Sequence, residues 1–409
     1  MTTESHINDD IARHNVRVLV AAQAILGAQM PMLFTVGGLA GQMLAPIPCL
    51  ATASISVMFF ASMITSPILS GFMNRYGRRA GFAVGAFGGL IGAIVAAFGL
   101  YQNSFSIFLV GAFFTGIYHP SQQFLRFAAT DYASSAYRPK AISYVLAGGL
   151  VAAILGPQLV KLTYQSMGMI YIGTYLTVAA INAIGVWVYF FLKETRLPKA
   201  EQTSNQSQRS LIQILGTPGI LVAIVCALVS YSLMTLMMTS APLAIVGCGF
   251  TAANAADVVM AHVVAMFVPS FFTGHLIARF GAGRIVIIGL VILGCASVVA
   301  LAGTDLSNFF IALILLGVGW NFGFIGATSL LAEQHSPSER ARVQGLNDFL
   351  LIGAMMIASL ASGGLLNCAG SDPVEGWTAV AIAMWPALAL AAVALGWFAW
   401  RSRSAKQSV

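Results

Sequence analysis

Charged side chains are scarce in this chain. Its 409 residues include twenty Lys and Arg and thirteen Asp and Glu, 8% of the sequence, whereas 58% are hydrophobic and the mean hydropathy is +0.85. Soluble domains carry about 25% charged residues, so this composition excludes an ordinary globular fold and asks for lipid as the solvent. Motifs for chemistry are missing as well. There is no nucleotide-binding loop, no His-Glu-x-x-His, no Gly-x-Ser-x-Gly and no cluster of metal-ligating residues, which argues against an enzyme and against ATP as the energy source. No cofactor and no metal are expected. The five cysteines show neither Cys-x-x-Cys nor Cys/His ligand spacing and read as small packing residues; a bridge among Cys49, Cys248 and Cys368, which fall on one side of the membrane, is the open alternative. Long hydrophilic stretches are lacking too, apart from Lys193 to Arg209.

What the chain has in abundance is apolar runs. Twelve can be laid out at roughly 20 residues each, the length that crosses ~30 Å of hydrocarbon. The first six lie near 16–38, 51–71, 80–100, 105–127, 140–160 and 169–192, and the second six near 217–240, 252–273, 284–303, 308–331, 343–365 and 377–400. Forty-one glycines, with frequent Ala and Ser, suit helices that pack closely in lipid.

The two sets of six repeat one another. Arg75-Tyr76-Gly77 superposes on Arg279-Phe280-Gly281 at an offset of 204 residues, and Asp131, Arg138 and Lys140 match Glu333, Arg340 and Arg342 at an offset of 202. The polar segment KETRLPKAEQTSNQSQR falls at the midpoint and cannot bury enough apolar surface to fold by itself. The expected architecture is an all-α polytopic membrane protein of 12 transmembrane helices in two pseudo-symmetric six-helix bundles. Residues 1–192 form the first bundle, 193–216 a cytoplasmic linker and 217–409 the second.

Orientation follows from the basic residues. Placing the N-terminus in the cytoplasm puts 19 of the 20 Lys and Arg on that side and leaves Lys161 outside, as the positive-inside rule requires. Both termini are then cytoplasmic in a multi-pass protein of the inner membrane. The polar start, with Glu4, Asp9 and Asp10, does not read as a cleavable signal. The net charge of +7 is spread over short segments and reflects topology, so no nucleic-acid partner is expected.

Twelve spans, a central linker and a basic turn recurring in each half resemble the major facilitator superfamily, whose turn reads roughly G-x-L-A-D-R-x-G-R-[RK]. Arg75, Gly77, Arg78 and Arg79 match it, whereas Ser70 and Asn74 replace its first Gly and its Asp; in the second copy Gly274, Arg279 and Gly281 match, with Ala278 at the acidic position. The resemblance implies alternating access between two rocking bundles. With the turn's own acid absent, Arg75 is expected to pair with Asp131 and Asp348 as a cytoplasmic latch, and Arg78 and Arg279 join this gating and coupling set. Gly148, Gly149, Gly156 and Pro157 in span five partly resemble the Gly-Pro motif of drug/proton antiporters. Three segments, AAQAILGAQMPMLFTVGGLAGQ from Ala21, RFAATDYASSAYRPKAISYV from Arg126 and GWNFGFIGATSLLAEQHSPSERARVQGLNDF from Gly319, resemble the bacterial riboflavin uptake carriers of the superfamily.

Ionisable residues inside the membrane cost at least ~2.5 kcal/mol each and mark cavities or partners. His119 reads as a cavity residue or a structural one. Asp348 reads as a titratable acid that couples a proton to transport, or as a helix acid stabilised by Arg342. Asp257 and His262 are five residues apart and do not share a helix face, so they do not read as a relay pair; His262 reads as a structural histidine, with a sensor of the outer pH as the alternative. Amides and aromatics carry the substrate reading: Gln29, His119, Gln123, Tyr231, Trp320 and Asn321 are the expected binding residues, with Gln23, Gln122 and Thr235 nearby. A flat heteroaromatic solute stacks on Trp or Tyr and uses amides for its polar edge. The expected function is uptake of a small organic solute, with riboflavin the best substrate, by a monomer in the lipid bilayer, with a proton as candidate coupling ion. Proton-coupled efflux of drugs or metabolites is the alternative, and a non-transporting receptor or scaffold the alternative of another class.

Overall fold

The computed structural model describes residues 9–134, 137–193, 211–335 and 339–407, and these are helical with no strand. In the first half, α1 (Asp9–Ile25), a 3₁₀ turn (Leu26–Ala28) and α2 (Gln29–Leu44) form one span. It is followed by α3 (Ala53–Tyr76), α4 (Arg78–Tyr101), α5 (Phe105–Ala128), α6 (Arg138–Thr163) and α7 (Ile172–Tyr189). In the second half a short α8 (Leu211–Leu215) precedes α9 (Pro218–Gly247), and α10 (Ala252–Phe267) and α11 (Ser270–Phe280) share a span bent by 40°. Then come α12 (Ala282–Ala302), α13 (Leu306–Ala332), α14 (Arg340–Cys368), and the pair α15 (Pro373–Ile382) and α16 (Met384–Gln407). Ten of these spans are long and apolar enough to cross a membrane and the bent pair makes an eleventh. With 24 residues, α5 is as long as its neighbours, and its polar stretch His119, Gln122, Gln123 and Arg126 lowers its hydropathy. Twelve rods thus stand where twelve apolar runs are read. Several extend past the expected ends, the first from Asp9 to Leu44, because a helix need not stop where hydrocarbon does. Residues 194–210 of the expected linker lie outside the described residues.

The duplication persists in three dimensions. Gly77 and Gly281 adopt φ +94 and +86, a region that glycine enters without a Cβ clash, and each lets one helix end and the next begin with no intervening loop. Arg75 lies over the Tyr76 ring and Arg279 over the Phe280 ring, each 5.3 Å from the centroid. Spans three and four pack intimately as α4 on α5, and their repeats nine and ten as α12 on α13.

The halves meet unevenly. At the face opposite the basic turns, Cys49 and Cys368 form a disulfide with Cα atoms 5.6 Å apart, so the bridge left open by the sequence excludes Cys248, which is free. Beside it Thr52 donates to the Ser359 carbonyl (2.6 Å) and accepts from the Gly363 N–H (3.1 Å), and Asn367 donates to the Pro48 carbonyl (3.1 Å). Lys161 pairs with Asp257 across the halves at 2.8 Å. Towards the basic face the halves diverge: α10 packs against α6, whereas beyond the bend α11 packs against α12 and α13 of its own half.

The bend is chemically answered. Pro269 has no N–H and interrupts the ladder. Asn321 on α13 donates to the Met266 carbonyl and the Ser270 hydroxyl, both at 2.7 Å, and accepts from Thr273 at 2.7 Å. In lipid a broken helix needs such a neighbour. Asn321→Ala should therefore lower stability by about 1–3 kcal/mol, read as a reduced melting temperature in detergent; an unchanged value would remove this role. A second expectation concerns the tether. With a protease site placed within 194–210, the cleaved protein should run as one species on a non-reducing gel and as two after reduction.

Candidate functional site

A cavity of ≈110 Å³ lies between the halves. Four chemistries build its wall. The first span contributes Gln23, Gly27, Met30, Pro31 and Phe34; α5 contributes His119, Gln122 and Gln123; and α6 contributes Gly149 and Ala152. Across from them stand Tyr231, Met234 and Met238 of α9, Val263, Met266 and Phe267 near the bend, and Met355 of α14. Amides, one imidazole, thioethers and rings therefore share the wall. Pockets that hold drug-sized ligands enclose ~300–1,000 Å³, so the site is contracted in this conformation.

Local structure places these groups. The 3₁₀ turn at Leu26–Ala28 interrupts the first span beside the cavity, a device that often marks a hinge. His119 engages Ser62 through Nδ1 at 2.8 Å and meets the Phe59 ring edge-on, which leaves Nε2 as the ring nitrogen available to a solute. Tyr231 is held by two edge-on contacts, to Trp320 at 5.3 Å and Phe324 at 4.9 Å, and those two rings stack on each other.

Of the residues that the sequence singles out for binding, the structure brings His119, Gln123 and Tyr231 to the cavity wall. The other three stand behind it. Gln29 exchanges hydrogen bonds with Asn182 of α7 at 3.2 and 3.0 Å, tying the first span to the sixth. Trp320 backs Tyr231, and Asn321 serves the bend. Nothing in the sequence distinguishes these amides from Gln23 and Gln122, because which way a helix turns its face is decided by its neighbours. The methionine-rich wall also carries no motif; its members are scattered over four spans.

The latch differs from the expectation. Asp131 is held by Arg78 of the same half, at 2.9 Å from Nε and 3.2 Å from Nη2, and not by Arg75. Arg78 opens α4, which packs along α5 and so reaches the acid just beyond its end; Arg75 closes α3 and turns over Tyr76 instead. Asp348 is exposed and interacts electrostatically with Arg126 of the other half. The Lys161–Asp257 pair joins two residues that the sequence leaves unconnected. His262 is buried and bonded to the Leu313 carbonyl at 2.8 Å, a structural role.

Comparison with known proteins gives this geometry its setting. The sequence pattern of the Major Facilitator Superfamily matches residues 19–256 and 224–409. The chain is 39% identical to riboflavin transporter RfnT of Brucella anthropi, over 94% of this chain and 95% of that one. It is 30% identical to the MFS-type transporter YddS of Bacillus subtilis, over 88% and 85% respectively. Among solved structures, nucleoside transporter NupG superposes with a TM-score of 0.68 at 16% identity, covering 96% of this chain and 98% of NupG; a mutant of NupG superposes at 0.71 and 14% identity, over 94% and 98%. At that identity the likeness concerns the fold. Twelve spans in two repeated bundles, a cavity between them and a match along almost the whole length have one reading: the chain is a multi-pass membrane transporter of the major facilitator superfamily.

Proposed function

We propose that this transporter carries riboflavin into the cell. The observation that carries the reading is the 39% identity to RfnT across nearly the full length of both chains. The cavity agrees with it in chemistry, since a wall of rings, thioethers and amides suits a flat heteroaromatic with a polar edge.

The basic face is the cytoplasmic one in this proposal, so both termini and the linker 193–216 lie inside the inner membrane, between a first bundle of residues 1–192 and a second of 217–409. The conformation described is then closed outside and parted inside. Arg126 and Asp348 approach as the inner side closes, Asp348 is the residue through which a proton couples to movement, and Arg75, Arg78, Asp131 and Arg279 shape the inner rim. The transporter acts as a monomer, because each chain contains its own cavity.

Expression in a riboflavin auxotroph that lacks an uptake system should restore growth at low riboflavin; no rescue despite membrane expression would sink the proposal. The disulfide generates a second expectation. A disulfide holds its Cα atoms within about 4.4–6.8 Å, so the outer face cannot part widely while Cys49 and Cys368 are joined. Uptake by Cys49→Ser or Cys368→Ser, or by the reduced protein, should be severalfold faster than by the oxidised protein, and equal rates would mean that the outer face opens elsewhere.

A further inference from the structure

Most polar side chains buried between these helices are committed to one another or to a backbone carbonyl, as Gln29 is to Asn182, Thr239 to Ser362 and Asn321 to the bend. Single hydroxyls such as those of Ser121, Ser230 and Thr235 lack a partner, but only at the cavity do three uncommitted carboxamides gather among the described residues. Gln23, Gln122 and Gln123 all line the cavity, and Gln23 is only 9% exposed. The Nε2 atoms of Gln23 and Gln122 converge: each lies 3.2 Å from the point that a Cβ on Gly27 would occupy. Gly27 thus leaves room at the spot where two amides of different spans meet. A carboxamide carries two donors and an acceptor, so a cluster of three lining one space suits a solute that satisfies them together.

We infer that Gln23, Gln122 and Gln123 are the specificity-determining residues of the site and that they read a cyclic imide, the acceptor–donor–acceptor edge O=C–NH–C=O of a planar heteroaromatic. Amide N–H groups donate to the two carbonyl oxygens and an amide oxygen accepts from the N–H between them. No charged group is needed at this edge, and none stands in the cavity wall. Tyr231 and the methionines opposite bed the apolar face of the ring system, since thioethers pack against aromatic rings. The inference rests on the riboflavin reading above, whose isoalloxazine ends in such an imide, and it specifies which end of the solute enters the glutamine wall.

The test is competition for labelled riboflavin uptake in the auxotroph by unlabelled riboflavin and by N3-methylriboflavin, in which the imide donor is replaced by a methyl group. The wild-type protein should bind the methylated compound roughly 10- to 100-fold more weakly, the loss expected when one hydrogen bond goes and its partner stays buried. Gln122→Ala and Gln23→Ala, confirmed in the membrane by immunoblot, should weaken riboflavin uptake and narrow that ratio, because the methyl group gains space and no unsatisfied acceptor remains. Equal competition by both compounds in the wild type would overturn the imide reading while leaving riboflavin transport standing, and this arm needs no variant to fold. Discrimination kept in full by both alanine variants would overturn the assignment to these glutamines. Absence of riboflavin uptake in the wild type would instead remove the transport proposal on which the inference rests.

Discussion

Hydrocarbon offers a polar group nothing to bond to, so a break in a helix or a buried amide or hydroxyl is costly unless another part of the protein answers it. That requirement sorts the polar residues into two kinds. Gln29 with Asn182, Thr239 with Ser362, and Asn321 with Met266, Ser270 and Thr273 answer one another and hold helices together. Gln23, Gln122 and Gln123 line the cavity, and Nε2 of His119, whose Nδ1 engages Ser62, is left beside them. The same physics that builds the bundles thus leaves a group of amides facing the cavity between them.

The second consequence concerns motion. Contacts between the halves concentrate at one face, where a covalent bond, an ion pair and several backbone hydrogen bonds coincide. Towards the basic face the bend between α10 and α11 turns the eighth span back onto its own half. A rocking bundle needs lasting bonds within each half and, away from the disulfide that joins the halves, replaceable ones between them. The intra-half Arg78–Asp131 pair belongs to the first kind and the Arg126–Asp348 interaction to the second.

Much of the architecture was legible in the residues themselves. Twelve apolar runs became twelve rods, and the echo of Arg75-Tyr76-Gly77 in Arg279-Phe280-Gly281 became two turns with the same glycine conformation and the same arginine–ring contact. These are local matters: hydropathy, run length and a positive φ are properties of a short segment. The site was half legible. Of the residues expected to bind a solute, His119, Gln123 and Tyr231 line the cavity, whereas Gln29, Trp320 and Asn321 share their chemistry yet meet other partners.

The amino-acid sequence by itself determined that the chain is a duplicated bundle of membrane-spanning helices, because composition and periodicity act through a solvent that tolerates little else. Tertiary structure alone decided which amides line the cavity and which meet each other, that Arg78 rather than Arg75 holds Asp131, and that Cys49 finds Cys368 from 319 residues away. Those outcomes depend on how each helix is rotated about its axis and which neighbour it touches. Rotation is set by the fit of many small side chains at once, and no single stretch of sequence records it.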